Sequence, residues 1–220
     1  MHSDAQAPRG VVVDARGTLL PGLLTVPSGA QVAVVFAHGS GSSHRSPRNK
    51  YVAELLNEAG LATLLFDLLT VAESRDRANV FAIGLLAKRL VHATHWLETQ
   101  PEAARLAVGY FGASTGAAAA LQAAASLGSS IAAVVSRGGR PDLAADVLPE
   151  VAAPTLLIVG GLDTAVLPLN QDAYDLLRCE RRFDVVTGAT HLFEEPGTLH
   201  EAARLAAEWF VGHLPGETSE

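Results

Sequence analysis

The sequence predicts an α/β chain: a mainly parallel sheet with helices on both faces. Three observations lead there. First, short apolar runs alternate with longer segments of helical apolar spacing along most of the 220 residues, the order expected when crossover helices return each strand to one sheet. Second, runs such as Val32-Ala33-Val34-Val35-Phe36-Ala37 have no polar face, so both sides must be covered. Third, the run Leu106-Ala107-Val108-Gly109-Tyr110-Phe111 stops at Gly112-Ala113-Ser114-Thr115-Gly116 and passes at once into Ala117-Ala118-Ala119-Ala120-Leu121. That is a strand, a sharp turn and a helix with nothing between them.

Each element has its own signal. Residues 11–15 and 18–26 flank Arg16-Gly17, a hairpin signature. Residues 31–37 read as a buried strand, 38–48 as a loop, 51–59 as a helix stopped by Gly60, and 61–66 as a strand. Within 81–97, Ile83, Leu86, Leu90, Thr94 and Leu97 share one helical face. Then follow a strand at 105–111, a helix at 115–127, and strands at 131–135 and 155–159, the latter behind Pro154. A helix at 167–177, a strand at 182–186 and an amphipathic helix at 199–214 close the chain. Only the connections 67–79 and 137–154 are long, and the second is expected to carry one short helical stretch. With no linker or repeat, residues 1–220 read as a single domain.

Composition narrows the function classes. A 49% hydrophobic content supplies a sizeable core, while 18% charged residues and a net charge of -7 disfavour nucleic acid or an anionic membrane as partner. One cysteine, Cys179, rules out an intramolecular disulfide and reads as a half-buried thiol. Met1 to Gln6 lack the charged-then-apolar pattern of a signal peptide, and no apolar run reaches the ~18 residues of a membrane span. A cytoplasmic protein is expected. Trp96 and Trp209 are expected to pack on the sheet. His92, His95, His200 and His213 show no metal-ligand spacing, and no phosphate-binding glycine loop is present, so no metal or cofactor is expected.

In parallel sheets chemistry collects at the carboxyl ends of strands. Three such ends carry Ser114, Asp163 in Gly160-Gly161-Leu162-Asp163, and His191 in Thr187-Gly188-Ala189-Thr190-His191, in that chain order. A serine hydroxyl is a poor nucleophile near neutrality. It needs a histidine to take its proton and an acid to orient and stabilise that histidine. Singly, Asp163 could be a turn or capping residue and His191 a surface residue; together they read as a catalytic triad. The oxyanion requires backbone N–H donors, assigned to Thr115, which follows the nucleophile, and to Ser40, in the loop after 31–37. His38 either braces that loop or touches substrate.

With these residues in place the chain resembles the α/β-hydrolases, in their dienelactone-hydrolase-like branch, over nearly its whole length. More narrowly, His38-Gly39-Ser40-Gly41-Ser42-Ser43, Ser46-Pro47-Arg48-Asn49, Gly112-Ala113-Ser114-Thr115-Gly116, Ser136-Arg137-Gly138-Gly139-Arg140-Pro141-Asp142 and Ala189-Thr190-His191-Leu192-Phe193 resemble a group of small bacterial hydrolases, sometimes fused to a phosphoribosyltransferase-like domain. No such domain is expected within these residues. The resemblance implies about eight strands, the second antiparallel. Dienelactone hydrolases use a cysteine nucleophile, whereas this chain places Ser114 there. The segment 136–151 is too short for the helical cap that many relatives insert, so an open site for small acyl groups is expected.

Arg45, Arg48, Arg137 and Arg140 flank the expected mouth. A guanidinium there would recognise a substrate carboxylate or phosphate, with Arg45 and Arg137 as candidates. Alternatively, these arginines pin loops to Asp67, Glu73 or Asp142. The leading expectation is a serine hydrolase acting on small esters, with an anionic ester and a homodimer both compatible. Thioesters and amides stay open. The competing class is a slow or non-catalytic ligand-binding protein that regulates a phosphoribosyltransferase.

Overall fold

The computed structural model describes residues 7–214. Strand β1 (Arg9–Ala15) and β2 (Thr18–Thr25) form the opening hairpin. There follow β3 (Val32–Ala37), α1 (Pro47–Glu58), β4 (Ala62–Phe66), a four-residue helix α2 (Arg77–Val80), α3 (Ile83–Leu97), β5 (Ala107–Ala113) and α4 (Thr115–Leu127). The chain then runs through β6 (Ile131–Arg137), β7 (Thr155–Gly160), α5 (Leu167–Leu176), β8 (Arg181–Val186) and α6 (Thr198–Gly212).

The eight strands form one sheet in the order β1-β2-β4-β3-β5-β6-β7-β8. β2 pairs antiparallel with both β1 and β4, and every pair from β4 to β8 is parallel. β3, β4 and β7 are buried at every position, as apolar strands covered on both faces must be. One side of the sheet carries α3, α4 and α5, with Leu64, Tyr110, Leu121 and Leu157 in its core. The other carries α1 and α6, where Phe36, Phe111, Leu156 and Phe210 meet. Trp209 lies in that second core and Trp96 packs on the first, as expected.

Several boundaries differ from the sequence reading. α1 begins at Pro47 because the Ser46 hydroxyl accepts the Asn49 N–H as an N-cap and proline suits the first helical position. β6 extends to Arg137, which moves that arginine from a loop into the buried end of a strand. Between β6 and β7 stand two 3-10 turns, Pro141–Ala144 and Leu148–Glu150, in place of the one expected helical stretch. Nothing in that segment builds a cap over the strand ends. No helix among the described residues is long and apolar enough to cross a membrane. The expectation about Met1 to Gln6 lies outside the described residues.

Candidate active site

Ser114 joins β5 to α4 with φ 51° and ψ -125°, a conformation L-residues adopt only under constraint. The constraint is steric closeness on both sides. A Cβ at Gly112 would overlap the Cα of Ala117, and a Cβ at Gly116 would overlap the carbonyl oxygen of Ala37. With glycine at both places, α4 packs directly under β3 and β5, and the serine is lifted to the strand ends. The carbonyl of Ser114 accepts the N–H groups of Ala117 and Arg140, which fixes the turn from two directions. Behind it, the first N–H groups of α4, beginning with Thr115, have no acceptor within the helix, so negative charge is favoured there.

Asp163 and His191 lie on the loops after β7 and β8. Those loops are joined by bonds from Gly161 N–H to the Val186 carbonyl and from Leu162 N–H to the Ala189 carbonyl, each 2.9 Å. Gly160 permits the approach, since a Cβ there would overlap the carbonyl oxygen of Ala189. The result is a 2.7 Å bond between His191 Nδ1 and Asp163 Oδ2. The carboxylate is 8% exposed and the imidazole 37%, so the acid is shielded while the base is reachable. His191 and Ser114 line one cavity of about 260 Å³ together with Ser40. Among the described residues no hydrogen bond joins the two, and such bonds tighten when substrate binds.

The loop after β3 closes this cavity. Its Ser40 N–H donates to Thr115 Oγ1 at 3.1 Å, so the two residues expected to meet the oxyanion are in contact. Of the two readings of His38, the bonds it makes are those of the bracing one. Its Nε2 accepts the Leu68 N–H at 3.1 Å, so its proton sits on Nδ1, 3.0 Å from the Gly39 carbonyl. The Nε2 bond ties the loop to the segment after β4, and the Nδ1 bond fixes the ring within the loop. Neither nitrogen is left for a hydrogen bond to substrate, although the ring lines a neighbouring cavity. Burial lowers the His38 pKa, which keeps the ring neutral. Asp67 Oδ1 also holds the loop, accepting the backbone N–H and the ring Nδ1 of His44 at 2.7 and 2.9 Å.

The four arginines separate. Arg45 is exposed and does not line the cavity, so its expected substrate contact has no structural support. Arg140 makes two 2.8 Å bonds to Asp142, the loop-pinning role. Arg48 lines the cavity but donates to Glu194 at 3.0 Å. Arg137 lines the cavity, is 6% exposed, and has no acidic partner among the described residues. Its Nε and Nη1 are buried without a hydrogen-bond acceptor among the described residues.

Comparison with known proteins places this arrangement. No family model matches the chain. A dienelactone hydrolase from Anabaena variabilis is 55% identical, with 95% of this chain and 99% of that one covered and a TM-score of 0.92. The chain belongs to the dienelactone-hydrolase-like α/β-hydrolases. The esterase Est1E of Butyrivibrio proteoclasticus, 15% identical with a TM-score of 0.79 over 93% of this chain and 98% of that one, shares the fold. Two Mycobacterium tuberculosis proteins provisionally named phosphoribosyl transferases are 64% identical over 195 residues, 89% of this chain and 44% of theirs. The chain thus spans less than half the length of these curated relatives.

Within this hydrolase framework, sequence reasoning missed the residues that hold the histidine loop. Glu195 accepts the Thr190 N–H at 3.0 Å and the Thr190 hydroxyl at 2.6 Å, and these bonds keep its carboxyl below the usual range. Phe193 is buried at φ 56°, turned under the loop and 5.6 Å from the Arg137 guanidinium. A glutamate five residues after a threonine offers no distinctive pattern. The positive φ of a phenylalanine has no sequence signal at all.

Proposed function

We propose that this chain is a serine hydrolase that cleaves small esters through an acyl-Ser114 intermediate. The observation that carries this reading is the 2.7 Å His191–Asp163 pair opening onto the cavity that Ser114 lines. Ser114 Oγ attacks the ester carbonyl carbon while His191 Nε2 takes its proton. Asp163 holds the Nδ1 proton and stabilises the imidazolium. The carbonyl oxygen, now an oxyanion, meets the Thr115 N–H and the Ser40 N–H, which leaves Thr115 Oγ1 to do so. When the C–O bond to the alcohol breaks, His191 returns the proton to the leaving oxygen. Water then repeats the sequence on the acyl-enzyme. The short segment between β6 and β7 leaves the cavity uncapped, which suits small acyl groups.

The names of the longer mycobacterial relatives favour a second reading, a ligand-binding partner of a phosphoribosyl transferase. One experiment separates the two. A fluorophosphonate should modify the protein once, at Ser114, and Ser114→Ala should abolish both labelling and turnover of short-chain esters. A folded protein that leaves Ser114 unmodified overturns the hydrolase reading.

A further inference from the structure

Arg137 is the last residue of β6, beside the nucleophile strand, and its guanidinium is almost wholly enclosed. It lies 6.0 Å from the Phe111 ring and 5.6 Å from the Phe193 ring. No carboxylate among the described residues pairs with it, although buried charges are ordinarily paired. Burial, and after it the neighbouring cation Arg48, pushes the Arg137 pKa down to about 10. At neutral pH it stays charged. A built-in cation, whose Nε and Nη1 find no acceptor among the described residues, therefore borders the cavity that holds Ser114 and His191.

Across the Ser40 loop lies a second cavity of about 350 Å³. Its walls include the aliphatic Leu68, Leu69, Val71, Val80 and Leu86, together with His38, Asp67 and Thr115. Gly39 and Ser40 border both cavities. Of the expected oxyanion donors, Ser40 thus stands at the boundary and Thr115, bonded to it, lines the second cavity, with the cation on one side and the aliphatic residues on the other. A carbonyl carbon at Ser114 whose oxygen points to those donors has two substituents to place, and one cavity lies on each side.

We infer that the substrate is an amphipathic ester, with an anionic group held by Arg137 on one side of the scissile bond and an apolar group of a few carbons in the Leu68–Leu86 cavity on the other. This rests on the serine-hydrolase reading and adds the substrate class. Arg48 remains available to the anion only if it leaves Glu194, so Arg137 is the primary contact.

The test is a set of matched esters for the wild-type protein: butyl succinate against butyl succinamate, butyryl glycolate against butyryl glycolamide, and the methyl or acetyl counterpart of each. The two scaffolds cover both directions of binding. In one of them the carboxylate should exceed its amide in kcat/KM by about tenfold to a hundredfold, the range of a charge-assisted hydrogen bond. In that scaffold the butyryl ester should exceed the acetyl one by about fifteenfold, or the butyl ester the methyl one by about sixtyfold, since each buried methylene contributes roughly a factor of four. Arg137→Gln should bring the charge ratio toward one, and Val80→Trp, which fills the second cavity from its rim, should reduce the length ratio. Fluorophosphonate labelling of Ser114 reports whether each variant is folded. Labelled wild-type protein that favours the amides, ignores chain length, or turns over none of these carboxylates overturns this inference alone. Absence of both labelling and turnover removes the hydrolase reading and this inference with it.

Discussion

Asp163 keeps its carboxylate out of solvent, and its side chain meets His191 Nδ1 at 2.7 Å. Asn at this position would preserve volume but could present an N–H to that nitrogen and so favour the wrong tautomer. Asp163→Asn is expected to lower kcat on a short ester about 10³- to 10⁴-fold, with KM changed far less. Asp142, at the neighbouring strand end, cannot stand in, because both its oxygens are bound by Arg140. His191→Ala should be at least as damaging, and steady-state kinetics at neutral pH checks both. A variant keeping about a tenth of the wild-type rate would remove its residue from the proton-transfer chain. These residues were legible in the sequence because each follows an apolar run by a few positions. His38 was legible only as a loop residue. Its bond to the Leu68 N–H joins positions 30 apart that meet only because β3 pairs with β4.

The loops after β7 and β8 act as one element. Two backbone bonds join them, and Gly160 lets the Ala189 and Thr190 carbonyls approach. Gly160→Ala should force these loops apart at a cost of about 1–3 kcal/mol, the usual range for overpacking. Because the Asp163–His191 pair spans the same junction, activity should fall further than the loss of folded protein explains. Urea denaturation paired with kcat on the folded fraction measures this. Equal losses in both would show that the junction supports stability alone. Apolar periodicity located these elements but misplaced their ends. Ser46 and Pro47 started α1 early through a cap, and the pairing of β6 with β5 carried that strand on to Arg137.

The stability of the whole molecule should depend on pH through His38. Burial lowers its folded pKa below the ordinary 6.5, so between those two values the unfolded chain binds more protons than the folded one. Stability therefore rises with pH across that window and is lost on acidification below 6.5, above the range where most carboxylates titrate. Protonation would also put a hydrogen on Nε2, which now accepts the Leu68 N–H. The thermal midpoint should fall from pH 7 toward about pH 5, and His38→Gln should flatten that dependence. An unchanged slope in the variant would show that His38 is not the titrating group. By itself the sequence determined the α/β class, the strained serine turn and the order Ser114, Asp163, His191, because periodicity and glycine spacing are local properties of a chain. Only the tertiary structure decided the strand order, the bracing bonds of His38, the exposure of Arg45 and the enclosure of Arg137 without a partner among the described residues. Each of those depends on which distant segments exclude water together, and no local window of sequence contains that information.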